Sequence, residues 1–161
     1  MIVFTKRINL STPIHLSIVN SEDLNVTHEF SCGRYNIVKF TPAGDLALFK
    51  SFHRELKSGC IFSLTGEALR TFKLPVRAFK DGHRFLPPTE CIGFTAAGEM
   101  ILRFNDWKST YISVYNMETE EQRFLDLGDL RPHYEVAIRN GHLYVIVYDE
   151  KKRPCELKIF E

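Results

Sequence analysis

No apolar run in this sequence is long enough to cross a membrane as a helix. The longest unbroken one, residues 143–148, falls far short of the ~20 residues that a hydrocarbon core requires. The opening stretch Met1-Ile2-Val3-Phe4-Thr5-Lys6-Arg7 sets no basic region ahead of a long apolar segment, so no export signal is expected. A soluble, cytoplasmic chain without a membrane partner is the expectation. On that expectation the sequons Asn9-Leu10-Ser11 and Asn25-Val26-Thr27 have no use.

Cysteine is sparse and scattered. Cys32, Cys60, Cys91 and Cys155 form no CxxC pair, so the spacing fits neither a zinc site nor a disulfide framework. Cys60 and Cys155 are each expected to open the strand after a basic hairpin loop, at equivalent places in different copies of a repeat, and buried structural thiols are expected there. The motifs of covalent and phosphate chemistry are missing too: no G-x-S-x-G, no P-loop, no G-x-G-x-x-G and no H-E-x-x-H. His15, His28, His53, His83, His133 and His142 are dispersed. The sequence therefore offers no catalytic residue, no metal-ligand set and no cofactor site. Neither sign of charge is in excess. Twenty-one Lys and Arg stand against twenty Asp and Glu, a formal net charge of +1, so only the placement of charge can select a partner.

What is present is a repeat. Phe40-Thr41-Pro42-Ala43-Gly44-Asp45-Leu46 returns as Phe94-Thr95-Ala96-Ala97-Gly98-Glu99-Met100, and Ile138-Arg139-Asn140-Gly141-His142-Leu143 is a degenerate third copy. In each, an apolar strand end runs into a turn containing glycine, and a second apolar run follows. Turn residues divide the chain into short strands at even spacing, which reads as all-β. The predicted four-strand unit occupies residues 32–74, with strands ending at 40 and then at 46–52, 60–64 and 68–74. A second unit spans 91–127, with strands at 91–95, 100–105, 110–117 and 123–127. An incomplete unit at 134–161 has strands at 134–139, 143–149 and 155–160, and an incomplete leading unit at 1–31 has room for three more. Only residues 50–58, with Phe52 and Leu56 four apart, have the spacing of a helical turn. The whole of 1–161 reads as one all-β domain of antiparallel four-stranded repeats, a small or partial propeller-like meander.

Four short antiparallel strands every 40 to 55 residues is the spacing of propeller blades. Through Phe-Thr-x-Ala-Gly-Asp/Glu followed by an apolar strand, residues 32–161 resemble WD-repeat and NHL-repeat β-propellers. The Trp-Asp and Gly-His pairs of the WD pattern are absent, and the resemblance implies a fold without any catalytic residue. A plain β-meander or sandwich built from a duplicated unit is the competing architecture. Residues 143–148 are apolar on both faces, as in a strand packed between two sheets. Three, four, four and three strands are too few for ordinary closure, so the N-terminal strands complete the last blade, or the sheet stays open, or two chains associate through open edges.

In an up-and-down unit, alternate turns leave at opposite ends. One set holds Glu22, Asp23, Asp45, Glu67, Glu99, Glu118, Glu120 and Glu121 with no Lys or Arg. The other set is mildly basic and aromatic: Arg54, then Arg77, Phe79, Lys80, His83, Arg84 and Phe85 in the longest connection, Trp107 and Lys108 at a hairpin tip, and Lys151, Lys152 and Arg153, diluted by Glu55, Asp81, Glu90, Asp106, Asp129, Asp149 and Glu150. Acids favour tight turns, and surface cations favour solubility, so part of the asymmetry needs no function. Trp and Arg are nevertheless the side chains most enriched at binding hot spots. The expected function is non-catalytic binding of another protein through the basic, aromatic loops. A cognate inhibitor, such as an immunity protein against a bacterial toxin, is one form of it, in which the acidic rim Glu118, Glu120 and Glu121 would face a basic partner. The alternatives are nucleic-acid binding, with Phe79, Phe85 and Trp107 stacking on bases, and a hydrolase or lyase with its site in a propeller channel. Exposed loop changes such as Arg77→Glu are expected to leave stability nearly unchanged.

Overall fold

The computed structural model describes residues 2–6, 14–33, 35, 37–78, 85–105, 110–125, 134–139, 142–148 and 154–160. Among these residues there is no helix, and the fold is all-β. The chain divides into two compact units, Met1–Lys73 and Leu74–Glu161.

The first unit holds two antiparallel meanders. One is β1 (Ile2–Lys6), β2 (His15–Val19) and β3 (Val26–Ser31); the other is β4 (Ile37–Phe40), β5 (Leu46–Phe52), β6 (Glu55–Phe62) and β7 (Ala68–Lys73). Their faces meet in a core of Ile14, Leu16, Ile18, Cys32, Leu46, Leu48, Cys60 and Phe62. Four consecutive residues of β5, from Leu46 to Phe49, are buried, so this central strand is covered on both faces.

The second unit begins with a short ladder, β8 (Arg77–Ala78) with β9 (Phe85–Leu86). The four-stranded meander β10 (Glu90–Phe94), β11 (Met100–Asn105), β12 (Thr110–Tyr115) and β13 (Gln122–Phe124) follows. A three-stranded one, β14 (Tyr134–Arg139), β15 (His142–Tyr148) and β16 (Pro154–Phe160), completes it. Ile101 and Ile112 pack against Leu143 and Val145 between these two sheets. On β15 the double-sided burial expected for residues 143–148 is not found. Leu143 and Val145 enter the core, while Tyr144 and Ile146 on the other face are half-buried.

The strands at 46–52, 100–105 and 134–139 start and stop where turn chemistry places them. Every larger sheet is an open meander in chain order, and none closes on itself. The N-terminal strand β1 pairs with β2. Residues 50–58, whose spacing also suits a helical turn, form a hairpin; β6 begins at Glu55, so Cys60 lies inside the strand it was expected to open. His53 and Arg54 adopt φ of 50° and 68°, reversing the chain in two residues and pairing Phe52 with Glu55. Phe52 and Leu56 therefore lie on opposite arms, one exposed and the other buried.

Candidate functional site

Among the described residues, three hairpins end in one turn, written Thr or Ser, two residues, Gly, then an acid. In the first, Thr41 N–H donates to the Asp45 carbonyl at 2.9 Å, Gly44 N–H to the Thr41 carbonyl at 3.0 Å, and Asp45 N–H to Thr41 Oγ1 at 3.1 Å. Thr95, Gly98 and Glu99 repeat those bonds at 2.9, 3.0 and 3.1 Å. Ser63, Gly66 and Glu67 make them again at 2.9, 3.1 and 3.1 Å. Gly44 and Gly98 stand at φ of 89° and 85°, a conformation that side chains disfavour. Gly141, the third glycine of the repeat, lies outside the described residues.

A second recurring turn escaped the sequence reading. Asn20 N–H donates to the Asn25 carbonyl at 3.0 Å, and Asn116 N–H donates to the Glu121 carbonyl at 2.9 Å. In both, the Asn side chain accepts from the N–H two residues on, Glu22 at 3.0 Å and Glu118 at 2.8 Å. The fifth residue of each is left-handed, Leu24 at φ 59° and Glu120 at 58°. The sequence signal the two share is Asn-x-Glu after an apolar strand, and asparagine side chains readily bond backbone two residues ahead.

The Thr95–Glu99 and Asn116–Glu121 turns gather acid at one end of the β10–β13 sheet. Glu118, Glu120 and Glu121 are all exposed there. A cavity of about 360 Å³ lies beside them, lined by Glu99, Val114, Asn116, Glu121, Gln122 and Arg123. Arg123 reaches across to Glu99 Oε2 at 3.1 Å, so the cation at this end is already matched. Beneath it, Gln122 Nε2 donates to the fully buried Ser113 Oγ at 3.0 Å.

The basic residues separate differently. Arg54 sits at the exposed tip of the β5–β6 hairpin with His53, next to Phe52, which is 64% exposed and meets the His53 ring edge-on at 4.1 Å. Two successive non-glycine residues in the left-handed region is an unfavourable way to build a two-residue turn, for which Asn-Gly is preferred. Phe52 was not among the candidate residues. Its signal, an aromatic before a basic tip, is hidden by its place in an apolar strand.

Arg77 is engaged within its own unit. Its guanidinium carbon lies 3.2 Å from the centroid of the Tyr111 ring and 4.9 Å from that of Phe124, which in turn packs on Phe104 at 5.6 Å. The residue pins the 74–88 connection to the β10–β13 sheet, so it is not the loose loop cation that a stability-neutral Arg77→Glu would require. Phe85, in β9, is 62% exposed. Phe79, Lys80, His83, Arg84, Trp107, Lys108, Lys151, Lys152 and Arg153 lie outside the described residues. Among the described residues no three His, Cys, Asp or Glu side chains gather as a metal site needs, and no helix is long and apolar enough to cross a membrane. No family model matches the chain, and no curated protein matches it.

Proposed function

We propose that this protein is a non-catalytic binding module, built from propeller-like blades, that holds a protein partner at the β5–β6 hairpin tip. The observation that supports this most is the Phe52-His53-Arg54 tip itself. An exposed aromatic stands beside a strained, cationic turn that folding alone would fill with Asn-Gly. Strain retained at an exposed tip is a recurring feature of ligand-contacting segments. An aromatic with an arginine is the composition of an interface anchor, and the arginine favours an acidic surface on the partner.

The test is affinity capture from the native host with two hairpin variants. Phe52→Ala with Arg54→Glu should abolish capture of the partner retained by the unaltered chain. H53N/R54G should raise the unfolding midpoint while lowering capture, because it relieves the turn and removes the contact groups. Capture undiminished in both variants sinks the tip reading.

A second reading rests on the acidic end of the β10–β13 sheet. Exposed Glu118, Glu120 and Glu121, the last of which lines the cavity, suit a basic protein, as a cognate inhibitor of a basic toxin would require. Glu118→Lys with Glu120→Lys and Glu121→Lys should then abolish capture instead. Binding restored by nucleic acid of any sequence, and lost steeply with salt, would assign the module to nucleic acid.

A further inference from the structure

β16 is the outer strand of its sheet, with β15 along one side. Leu157 and Ile159 stand opposite Ile146 and Tyr144, on the face turned away from the Leu143 and Val145 core. They are 57% and 55% exposed. Glu156 and Lys158 project on the other face, opposite Val147 and Val145. An edge strand with exposed apolar side chains is a template for a further strand.

The order Glu156-Leu157-Lys158 selects what that strand is, because it is its own antiparallel complement. Let two copies of β16 run antiparallel about a two-fold axis at Leu157. Glu156 of each then faces Lys158 of the other, Leu157 faces Leu157, and Pro154 faces Phe160. Paired positions share a face and a place in the hydrogen-bonding alternation, as a ladder demands. A one-residue slip sets the apolar face against the charged one. A two-residue slip puts Glu156 opposite Glu156 or Lys158 opposite Lys158, and like charges directly opposite are destabilising. Among the registers that pair five or more residues of the strand, a single one satisfies both conditions, and a symmetric self-contact is the commonest way soluble chains associate. We infer that β16 is a self-association edge, pairing with β16 of a second copy to join two three-stranded sheets into one.

Sedimentation equilibrium on the whole chain at low salt, from about 1 to 200 μM, tests this. The unaltered protein should associate reversibly to twice its 18.7 kDa mass. Glu156→Lys and Lys158→Glu each set like charges opposite at two symmetric places and should weaken association roughly tenfold or more. An equimolar mixture of the two variants should recover it as a mixed dimer. Neither variant keeps the 3.9 Å contact between Glu156 and Lys158 within the strand, so that recovery must come from across the interface. Circular dichroism on each variant establishes that both are folded. A monomer throughout the range, a dimer indifferent to both substitutions, or a mixture no tighter than its folded components would each overturn the inference.

Discussion

Gly59 occupies a place that no side chain can share. It pairs with Phe49 on one neighbouring strand and Phe72 on the other, and those two rings meet edge to face at 5.7 Å. A Cβ there would overlap the Phe72 ring and lie 2.8 Å from the Leu48 carbonyl oxygen. Gly59→Ala should therefore cost about 3 kcal/mol, at the upper end of overpacking. A lowered urea midpoint with unchanged slope would show it. The thiols give a second residue-scale prediction. Cys32, Cys60 and Cys91 are buried, and burial pushes the Cys32 thiol up from 9.0 to about 11. Because the folded value is raised, its contribution to stability is fully present below pH 9 and is lost as pH rises towards 11. The melting temperature should fall across that window, and less so in Cys32→Ala; an identical profile in the variant would refute the assignment. The buried state of Cys60 was legible from its place at the head of an apolar run. The side chain of Cys155 lies outside the described residues. Gly59 carried no such signal, because the ring that covers it belongs to another strand and register is a non-local property.

Among the elements, strand positions were legible at the turns Thr41 to Asp45 and Thr95 to Glu99, whereas the strand expected at 60–64 starts five residues earlier and ends before the Ser63 turn. They were misread at 50–58, because a four-residue apolar spacing suits both a helix face and the two arms of a hairpin. Only the backbone angles of His53 and Arg54 decide between them. The 74–88 connection was recognised as unusual, but its anchor was not. A guanidinium laid on two aromatic rings is invisible until Tyr111 and Phe124 are brought beside it. Arg77→Ala should lower stability by roughly 1–2 kcal/mol through the lost stacking. Arg77→Lys should recover only part of it, since an ammonium does not stack as a planar guanidinium does. Equal stability of all three proteins by chemical denaturation would show that the connection is held by something else.

For the molecule as a whole, the count of three, four, four and three strands came from periodicity alone and is the count observed in the four larger sheets. Which sheet faces become core was less accessible, since β5 and β15 read alike and only β5 is covered on both sides. Whole-molecule charge, at +1, said nothing of its distribution. The recurring turn has a consequence for that distribution. Its hydrogen bonds use the N–H and carbonyl of the acidic residue and leave the carboxylate outside the bonding scheme. Asp45→Asn and Glu67→Gln should therefore move the isoelectric point upward from about 7.7 while leaving the unfolding midpoint within about 0.5 kcal/mol of its original value. Isoelectric focusing and a urea titration measure the two responses separately, and a large loss of stability would show that the carboxylates hold the turn after all. If the midpoint holds, these positions form a register of adjustable charge written on a fixed scaffold, in which surface potential can be retuned one unit at a time without renegotiating the fold.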